Sequence, residues 1–383
     1  MVIIFNMNLI FKSSDKFSCD KISNFVIEIT QACNFRCKYC CYSDNYKRIR
    51  NHSSRKMNKR TIGMLVNFIK NYADDVNGFV VNFYGGEALL ESTNIFRIIH
   101  ELSSYFGDKV SFDISSNGYN LNKEIIYFIL KYNVSLSVSL DGIRDIHDRN
   151  RRTITDKNTY DTIISNLYLF KSINPEEYNK RIRILITAES LKDIEVMNYN
   201  YPRLKDLLGV KPLLVSRVIP NSKFKAYIID DEVFENKFYQ TALSHKKNGI
   251  EDLFTIVLDN LLSKNKPKLI HSSSCGIINN RTCLNEIVSL FIDVDGNLYL
   301  CEKMGNNFCI GNIEKGLNLS MMKRLSILYN IRRTLLCSSC EYVMYCSRCI
   351  ADMKMSYQEQ REVCSLYKHN ISLSNKINRI TNA

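Results

Sequence analysis

The amino-acid sequence predicts an α/β protein in which a partial (β/α)6 barrel of the TIM type is followed by a small cysteine-rich domain. Short runs of β-branched and aromatic residues alternate with amphipathic helical segments, as in chains built from β–α units. Distinctive polar motifs follow the ends of the predicted strands, where α/β barrels carry their chemistry. The 14 cysteines are also divided, with five in the first 41 residues, none between 42 and 274, and nine between 275 and 364.

Six strands are predicted, at residues 25–29, 79–84, 110–115, 134–140, 181–187 and 213–219. The helical segments between them include 61–70, 88–106, 123–132 and 159–173. This alternation implies parallel strands joined by right-handed crossovers, in a barrel or in a doubly wound sheet. The barrel is favoured because four polar motifs follow the first four strands and would meet at one mouth: the cysteine loop from 33, "GGE" at 85–87, "SNG" at 116–118 and "DG" at 141–142.

We predict five segments along the chain. They are an N-terminal hairpin extension at 1–24 that turns at Asn6–Asn8, the barrel at 25–230, a helical linker at 231–270, the cysteine-rich domain at 271–370 and a tail at 371–383. The apolar start has no basic leader and no small-residue cleavage site, and no stretch of 18 apolar residues follows. We therefore expect a cytoplasmic protein without a membrane partner.

The net charge of +13 would allow nucleic acid or an acidic peptide as a partner. The basic residues are scattered, however, apart from the stretch 46–60, which reads as a solvated loop and helix start. We therefore do not expect nucleic acid as a partner.

The segment "CNFRCKYC" places Cys33, Cys37 and Cys40 at C-x3-C-x2-C spacing. Three thiolates on one tight loop can hold three irons of a [4Fe–4S] cluster and leave the fourth iron open. Two alternatives are a redox dithiol and a zinc site, which would need a fourth ligand that the adjacent Cys41 could supply only with awkward geometry. The Gly85-Gly86-Glu87 motif adds exposed backbone and a carboxylate able to hold an ammonium group beside such a cluster.

A second set of cysteines follows the barrel. Cys283, Gly296 and Cys301 have C-x12-G-x4-C spacing, in a hairpin predicted to turn at Asp295-Gly296. Four cysteines with C-x2-C-x5-C-x2-C spacing and one further cysteine come next: Cys337, Cys340, Cys346, Cys349 and Cys364. On spacing alone, a pair of zinc ribbons is an alternative to iron–sulfur clusters.

The motifs "CNFRCKYC", "YGGE", "SSNG" and "SLDGIRDIHDRNR" resemble the radical S-adenosylmethionine superfamily. That resemblance implies that the open iron chelates the amino and carboxylate groups of S-adenosylmethionine, whose reductive cleavage gives methionine and a hydrogen-abstracting 5′-deoxyadenosyl radical. Cys33, Cys37 and Cys40 would be the cluster ligands. The cofactor-binding residues would be Tyr39 on the adenine side, Gly86 and Glu87 at the methionine amino group, Ser139 and Arg151 at the carboxylate and ribose, and Asn117 in the pocket wall. Arg149 or Arg152 could take the role of Arg151.

The second cysteine set resembles the SPASM extension of peptide-modifying radical enzymes, which carries two auxiliary [4Fe–4S] clusters. The resemblance implies Cys275, Cys283, Cys301 and Cys349 as ligands of the first, and Cys337, Cys340, Cys346 and Cys364 as ligands of the second. The usual last spacing is C-x3-C, so we interpret C-x2-C at Cys346–Cys349 as a one-residue deletion. Without Cys275, the first auxiliary cluster would keep an open iron that could hold a substrate thiolate.

The resemblance implies a peptide maturase that forms a thioether or carbon–carbon crosslink in a ribosomally made precursor peptide and takes electrons from a reducing flavodoxin or ferredoxin. The alternative is an anaerobic sulfatase-maturating enzyme, which oxidises Cys or Ser to formylglycine. Those enzymes place an aspartate base directly after the hairpin cysteine, where this chain has Glu302, our candidate catalytic residue. A rival of another class is a zinc-dependent nucleic-acid-binding protein, and metal analysis separates them: about twelve irons per chain against two or three zincs.

Overall fold

The computed structural model describes residues 21–43, 50–209, 212–217, 232–264, 271–272, 278–279, 287–337, 339–343 and 357–381. The predicted turn at Asn6–Asn8 lies outside these residues, and so does the end of the sixth predicted strand. The same holds for four of the predicted cluster ligands: Cys275, Cys283, Cys346 and Cys349.

Six parallel strands follow one another across the sheet in chain order. They are β1 (Asn24–Thr30), β2 (Phe79–Gly85), β3 (Val110–Ser116), β4 (Ser135–Ser139), β5 (Ile182–Ala188) and β6 (Pro212–Arg217). All six predicted strands are therefore confirmed, and where both ends are described each bound agrees to within one residue. In a doubly wound sheet the order of the strands reverses at one point. The order of β1 to β6 has no such reversal, as in a barrel.

Ten helices accompany these strands in the described residues. They are α1 (Lys59–Tyr72), α2 (Ser92–Phe106), α3 (Lys123–Lys131), α4 (Arg144–Asn150), α5 (Tyr160–Ile173), α6 (Pro175–Arg181), α7 (Leu191–Tyr199), α8 (Tyr201–Leu208), α9 (Glu232–Lys247) and α10 (Leu253–Lys264). Several begin at a side-chain cap, as where Asn58 Oδ1 accepts the Thr61 N–H at 2.9 Å. The segment predicted as a linker packs with the barrel, because α10 contacts α9, α7 and β6.

The cysteine-rich part continues the barrel sheet. A short pair, β7 (His271–Ser272) and β8 (Ile278–Asn279), stands apart, but β9 (Ser289–Ile292) pairs in parallel with β1, so that Ile27 lies opposite Ile292. Antiparallel β10 (Asn297–Tyr299), β11 (Gly311–Asn312) and β12 (Gly316–Leu317) extend this edge. The predicted hairpin turn is confirmed, since Gly296 has φ +80° and donates its N–H to the Asp293 carbonyl at 2.9 Å.

Two helices complete the described chain, α11 (Leu319–Cys337) and α12 (Tyr357–Thr381). The helix α12 runs across the predicted boundary at 370–371, so residues 371–381 of the segment predicted as a tail belong to this helix. No glycine or proline interrupts 357–381, and Ile371, Leu373 and Ile377 are buried. Burial of this apolar face explains why the helix does not stop at the last cysteine.

A buried ion network joins the barrel to the C-terminal hairpin. Arg50 Nη1 lies 3.5 Å from Glu28 Oε2 on β1 and 3.9 Å from Asp293 Oδ2 after β9. The Arg50 guanidinium carbon also lies 4.4 Å from the ring centre of Phe291 and 4.7 Å from that of Tyr299. All three charged side chains are almost fully buried. This network fixes the C-terminal hairpin against the strand that precedes the cysteine loop.

Candidate active site

The loop that carries Cys33, Cys37 and Cys40 follows β1 and lies along the segment after α4. Arg36 N–H donates to the Arg152 carbonyl at 2.8 Å, and Lys38 N–H donates to the Asn150 carbonyl at 3.0 Å. These backbone bonds bring the end of the fourth β–α unit beside the thiols.

The three thiols are half-buried and close enough to affect one another. Burial, opposed by the Phe35 N–H and reinforced by the charges of Glu87, Cys37 and Cys40, raises the pKa of Cys33 to about 12. Burial likewise raises the pKa of Cys37 to about 12, against the opposing charge of Arg151. Backbone N–H groups point at two of the sulfurs, at 3.3 Å from Phe35 to Cys33 and at 3.4 Å from Tyr42 to Cys40. Thiolates here therefore require a strong positive partner, which cluster iron would supply.

No group of three Cys, His, Asp or Glu side chains in the described ranges could hold a single metal ion. A [4Fe–4S] cluster makes a different demand, because each thiolate binds its own iron. The half-buried sulfurs and the N–H donors around them fit a thiolate-held cluster.

Gly85 and Gly86 lie directly against the backbone that leads into the cysteine loop. A Cβ at Gly85 would sit 2.2 Å from the Thr30 carbonyl oxygen, and one at Gly86 would sit 2.2 Å from the Ala32 carbonyl oxygen. Gly85 also has φ +131°. Gly86 N–H donates to Thr30 O and Glu87 N–H donates to Ala32 O, both at 2.8 Å. Only glycine fits this approach.

The Glu87 carboxylate is buried and holds the end of β3. Its oxygens accept from Leu89 N–H at 3.0 Å, Ser116 Oγ at 2.7 Å and Asn117 N–H at 2.7 Å. Burial raises the pKa of Glu87, and these three donors oppose the increase. The carboxylate has about four acceptor positions, so these bonds leave room for one more donor. Its predicted contact with the methionine amino group stays a prediction.

Asn117 ties the end of β3 to the cysteine loop. Its Nδ2 donates to Asn34 Oδ1 at 2.8 Å, and Asn34 Nδ2 donates to Asn120 Oδ1 at 2.8 Å. Its Oδ1 accepts the Tyr119 N–H at 3.0 Å. Asn117 therefore lies beside Asn34, the residue that follows Cys33, and its predicted role in the cofactor pocket stays a prediction.

Arg151 and Tyr39 meet at a buried acid that the sequence interpretation did not assign. Asp141 Oδ2 accepts from Arg151 Nε at 2.8 Å and from the Tyr39 hydroxyl, while Asp141 Oδ1 accepts the Thr187 N–H at 2.9 Å. The Arg151 guanidinium carbon lies 5.2 Å from the Tyr39 ring centre. Burial disfavours the Arg151 charge, but Asp141 holds the pKa of Arg151 well above its usual value. Ser139 ends β4 two residues before this acid.

The two alternative arginines point elsewhere. Arg149 Nη2 pairs with Asp193 Oδ2 at 2.7 Å, and Arg152 Nε pairs with Asp156 Oδ1 at 2.7 Å. Both side chains are more than a third exposed, whereas that of Arg151 is 9% exposed. Of the three, the structure brings Arg151 to the cysteine loop.

His147 and Thr159 hydrogen-bond to the backbone of Asp141 and Arg151, and the sequence analysis did not assign either residue. Asp141 N–H donates to His147 Nδ1 at 3.1 Å, His147 Nε2 lies 3.0 Å from Thr159 Oγ1, and Thr159 Oγ1 donates to the Arg151 carbonyl at 2.8 Å. Burial lowers the pKa of His147 to about 4, so the ring is neutral and its proton is assigned to Nε2. The sequence feature that could have pointed to these residues is an acid and a histidine within "SLDGIRDIH", directly after a predicted strand.

Glu302 is half-buried, and its charge acts on Cys41 and Tyr84 of the barrel. The charge of Cys41, burial and the charge of Glu302 together raise the pKa of Tyr84. A hydrogen bond from Cys40 lowers the pKa of Cys41, whereas burial and Glu302 act in the opposite direction. The Glu302 carboxylate is therefore within electrostatic range of Cys41 in the cysteine loop and of Tyr84, the residue that precedes the glycine pair.

Three predicted ligands of the second auxiliary cluster line one cavity. The cavity has a volume of about 520 Å³ between the end of α11 and α12, and its wall includes Cys337, Cys340 and Cys364. Cys340 N–H donates to the Cys337 carbonyl at 3.1 Å, which closes the C-x-x-C turn. The volume is within the range of cofactor sites, so these residues fit a cluster. Of the predicted ligands of the first auxiliary cluster, Cys301 alone lies in the described residues.

Residues 27–198 match the Radical SAM superfamily. This part of the chain is a radical SAM domain. The chain is 25% identical over 347 residues to a cysteine-type anaerobic sulfatase-maturating enzyme of Clostridium novyi, with 86% of this chain and 85% of that protein covered. It is 23% identical over 375 residues to the radical SAM cyclopropyl synthase TigE of Paramaledivibacter caminithermalis, with 91% and 73% covered.

Two solved structures show the same fold. The structure of native anSMEcpe with bound AdoMet and Cp18Cys peptide has a TM-score of 0.59 at 20% identity and covers 92% of this chain and 99% of that chain. Streptococcus suis SuiB bound to S-adenosylmethionine has a TM-score of 0.58 at 15% identity, with 88% and 75% covered. The chain thus contains a radical SAM domain and shares the fold of these two enzymes, and the family of that domain implies a [4Fe–4S] cluster that binds S-adenosylmethionine. No helix in the described residues could cross a membrane.

Proposed function

We propose that this enzyme modifies a ribosomally made precursor peptide by forming a thioether or carbon–carbon crosslink. The observation that carries the proposal is that Glu302 is half-buried and that its charge acts on Cys41 and Tyr84 at the cysteine loop. A structural relative with a bound peptide supports a peptide substrate, and a relative named as a cyclopropyl synthase supports the formation of a carbon–carbon bond.

Cys33, Cys37 and Cys40 would hold the cluster, which when loaded with S-adenosylmethionine supplies a 5′-deoxyadenosyl radical for hydrogen abstraction. Arg151, held by Asp141 against Tyr39, would orient the carboxylate and ribose end of the cofactor. The backbone at Gly86 would receive its amino end. Cys301, Cys337, Cys340 and Cys364 would be among the ligands of the two auxiliary clusters, and a reducing flavodoxin or ferredoxin would supply electrons.

Glu302 would act on the peptide rather than on the cofactor. After loss of a hydrogen atom, closing a bond to a second peptide atom releases one proton and one electron. The Glu302 carboxylate would take the proton at a side-chain oxygen, and an auxiliary cluster would take the electron. A half-buried carboxylate suits this role because it is shielded from bulk water while remaining open to the substrate.

The test uses the reconstituted, dithionite-reduced enzyme and the peptide encoded beside its gene. Glu302→Gln should slow peptide modification by about a hundredfold, within the range for general-base catalysis, while uncoupled formation of 5′-deoxyadenosine continues. Glu314→Gln is the matched control, because that carboxylate is exposed in the same domain and pairs with exposed Arg60. Cys37→Ala should make no 5′-deoxyadenosine at all. Wild-type rates of both products in the Glu302 variant would remove this residue from the mechanism.

The second candidate is formylglycine formation, which the similarity to sulfatase-maturating enzymes favours. In those enzymes an aspartate would stand at the position of Glu302, whose side chain is one methylene longer. A misplacement of about that size can cost a hundredfold in rate. We therefore expect no turnover on a sulfatase-type C-x-P-x-R peptide. Efficient oxidation of that peptide, lost in Glu302→Gln, would select this candidate instead.

A further inference from the structure

The His52 imidazole lies against Cys40, one of the three thiols of the cysteine loop. His52 Nε2 is 3.7 Å from Cys40 Sγ, within the range of a hydrogen bond to sulfur. The proposed function assigns no role to this ring. A thiolate ligand carries no hydrogen on its sulfur, so in the cluster-loaded protein the ring has to donate from Nε2 for this contact to be a hydrogen bond.

The other ring nitrogen of His52 indicates that the proton is on Nε2. Nδ1 is buried and finds no hydrogen-bond partner in the described part of the chain. A proton on Nδ1 would therefore be buried without an acceptor, which is costly, whereas a proton on Nε2 faces the Cys40 sulfur. The proton is accordingly assigned to Nε2.

The surroundings of His52 hold the ring in this position. His52 N–H donates to the Tyr42 carbonyl at 3.0 Å, and the two rings pack with 5.8 Å between their centres and 30° between their planes. Tyr42 is itself fixed, because its hydroxyl donates to the buried Glu28 Oε1 at 2.8 Å. The imidazole is therefore preorganised beside Cys40.

A second N–H donor distinguishes Cys40 from Cys33. Cys33 Sγ accepts the Phe35 N–H, whereas Cys40 Sγ accepts the Tyr42 N–H at 3.4 Å and also faces His52 Nε2. When one electron enters a [4Fe–4S] cluster, the cluster and its thiolates gain one negative charge. An N–H donor at a ligand sulfur stabilises the reduced form more than the oxidised form and thus raises the reduction potential.

We propose that His52 donates a hydrogen bond from Nε2 to the Cys40 thiolate and makes the cluster that binds S-adenosylmethionine easier to reduce. The inference rests on the assignment of Cys33, Cys37 and Cys40 as cluster ligands in the proposed function. His52 is a positioning residue, because it acts through Cys40 rather than on S-adenosylmethionine or on the peptide.

The test measures the midpoint potential of this cluster in the full-length reconstituted protein, by redox titration followed by electron paramagnetic resonance. The signal of this cluster is the one that changes when S-adenosylmethionine is added and that is absent from Cys37→Ala. His52→Phe keeps a flat ring against Tyr42 but cannot donate, and it should lower the equilibrium constant of reduction about tenfold, or about 59 mV for one electron. His52→Gln can donate from its amide and should stay within about threefold of the parent protein. The control is His100→Phe, which removes an exposed ring that pairs with Tyr132 and should leave the potential unchanged.

A direct measurement decides the result if His52→Phe loses the cluster. Parent protein that carries isotopically labelled histidine nitrogen, reduced without S-adenosylmethionine, should show a coupling between this nitrogen and the cluster in pulsed electron paramagnetic resonance. The same labelling of His52→Gln should show no such coupling.

Four results would each overturn the proposal: an unchanged potential in a His52→Phe protein that keeps its cluster, an equal loss in His52→Gln, an equal loss in His100→Phe, or no nitrogen coupling in the parent protein. The titration uses no peptide, so it can succeed even if the proposed peptide chemistry is wrong. A signal that still responds to S-adenosylmethionine in Cys37→Ala would instead refute the ligand assignment.

Discussion

Replacing Arg50 by methionine should loosen the junction between the barrel and the C-terminal hairpin. Arg50 is the cation of the buried network, between Glu28 on β1 and Asp293 after β9. Methionine keeps much of the aliphatic length but removes the buried cation from two buried carboxylates whose hydrogen-bond donors are neutral. These donors include the Tyr42 hydroxyl and the Gln31 amide at Glu28, and the turn N–H groups at Asp293.

Breaking a buried ion pair by removing one partner costs about 3–5 kcal/mol, because the remaining charge stays desolvated. The chain offers a matched control at Arg55, which pairs with Asp295 of the same hairpin but is 51% exposed. Exposed pairs contribute about 0–1 kcal/mol. Arg50→Met should therefore destabilise the junction severalfold more than Arg55→Met does.

Hydrogen exchange of the reconstituted protein measures this difference where it arises. The amides of β1 and β9 should exchange about a hundredfold to a few thousandfold faster in Arg50→Met, since 1.4 kcal/mol corresponds to tenfold. The amides of β4 and β5, across the sheet, report on global unfolding. Equal exchange of β1 and β9 in the two arginine variants would refute the assignment of the network as the junction.

Two further predictions concern the site itself. Gly86→Ala should weaken S-adenosylmethionine binding measured by calorimetry, because the new Cβ would lie 2.2 Å from the Ala32 carbonyl oxygen. The control is Gly63→Ala on α1, where the new Cβ meets no atom within 4 Å, and this variant should bind S-adenosylmethionine normally. Burial keeps His147 neutral in the folded protein, where its pKa is about 4, whereas in the unfolded chain the ring takes up a proton below a pKa of about 6.5. The free energy of unfolding is therefore fully retained above about pH 6.5 and declines as pH falls toward 4. Urea unfolding at pH 7.5 and 5.5 should show about 1.4 kcal/mol less pH-dependent loss in His147→Gln than in the parent protein; an identical loss would contradict the neutral buried ring.

The sequence predicted the features that local pattern determines. Strands, most helices, the turn at Gly296 and the order of the motifs follow from alternation, from caps and from turn residues within a few positions of one another. The contacts that build the site are not local. Residues of β1 and β9 that pair are 265 positions apart, and Asp141 meets Tyr39 across 102 positions. No pattern in a single sequence encodes such pairings, which explains why Asp141 and Arg50 were missed.

The inner face of the barrel sheet gives an independent reason to expect a polar substrate. A complete α/β barrel fills its interior with branched apolar side chains. Here neighbouring strands carry polar groups on one face instead. Ser115 Oγ lies 3.4 Å from Asn82 Oδ1. Ser137 Oγ lies 3.2 Å from the Asp113 carboxylate, and Arg183 Nη1 lies 3.4 Å from Asp113 Oδ2. The opposite positions of the same strands are the apolar core. These side chains pair with one another and several stay partly exposed, so the face can also accept hydrogen bonds from, or donate them to, water or a ligand such as a peptide backbone. A partial barrel can admit one from its open side, which a closed and packed barrel could not.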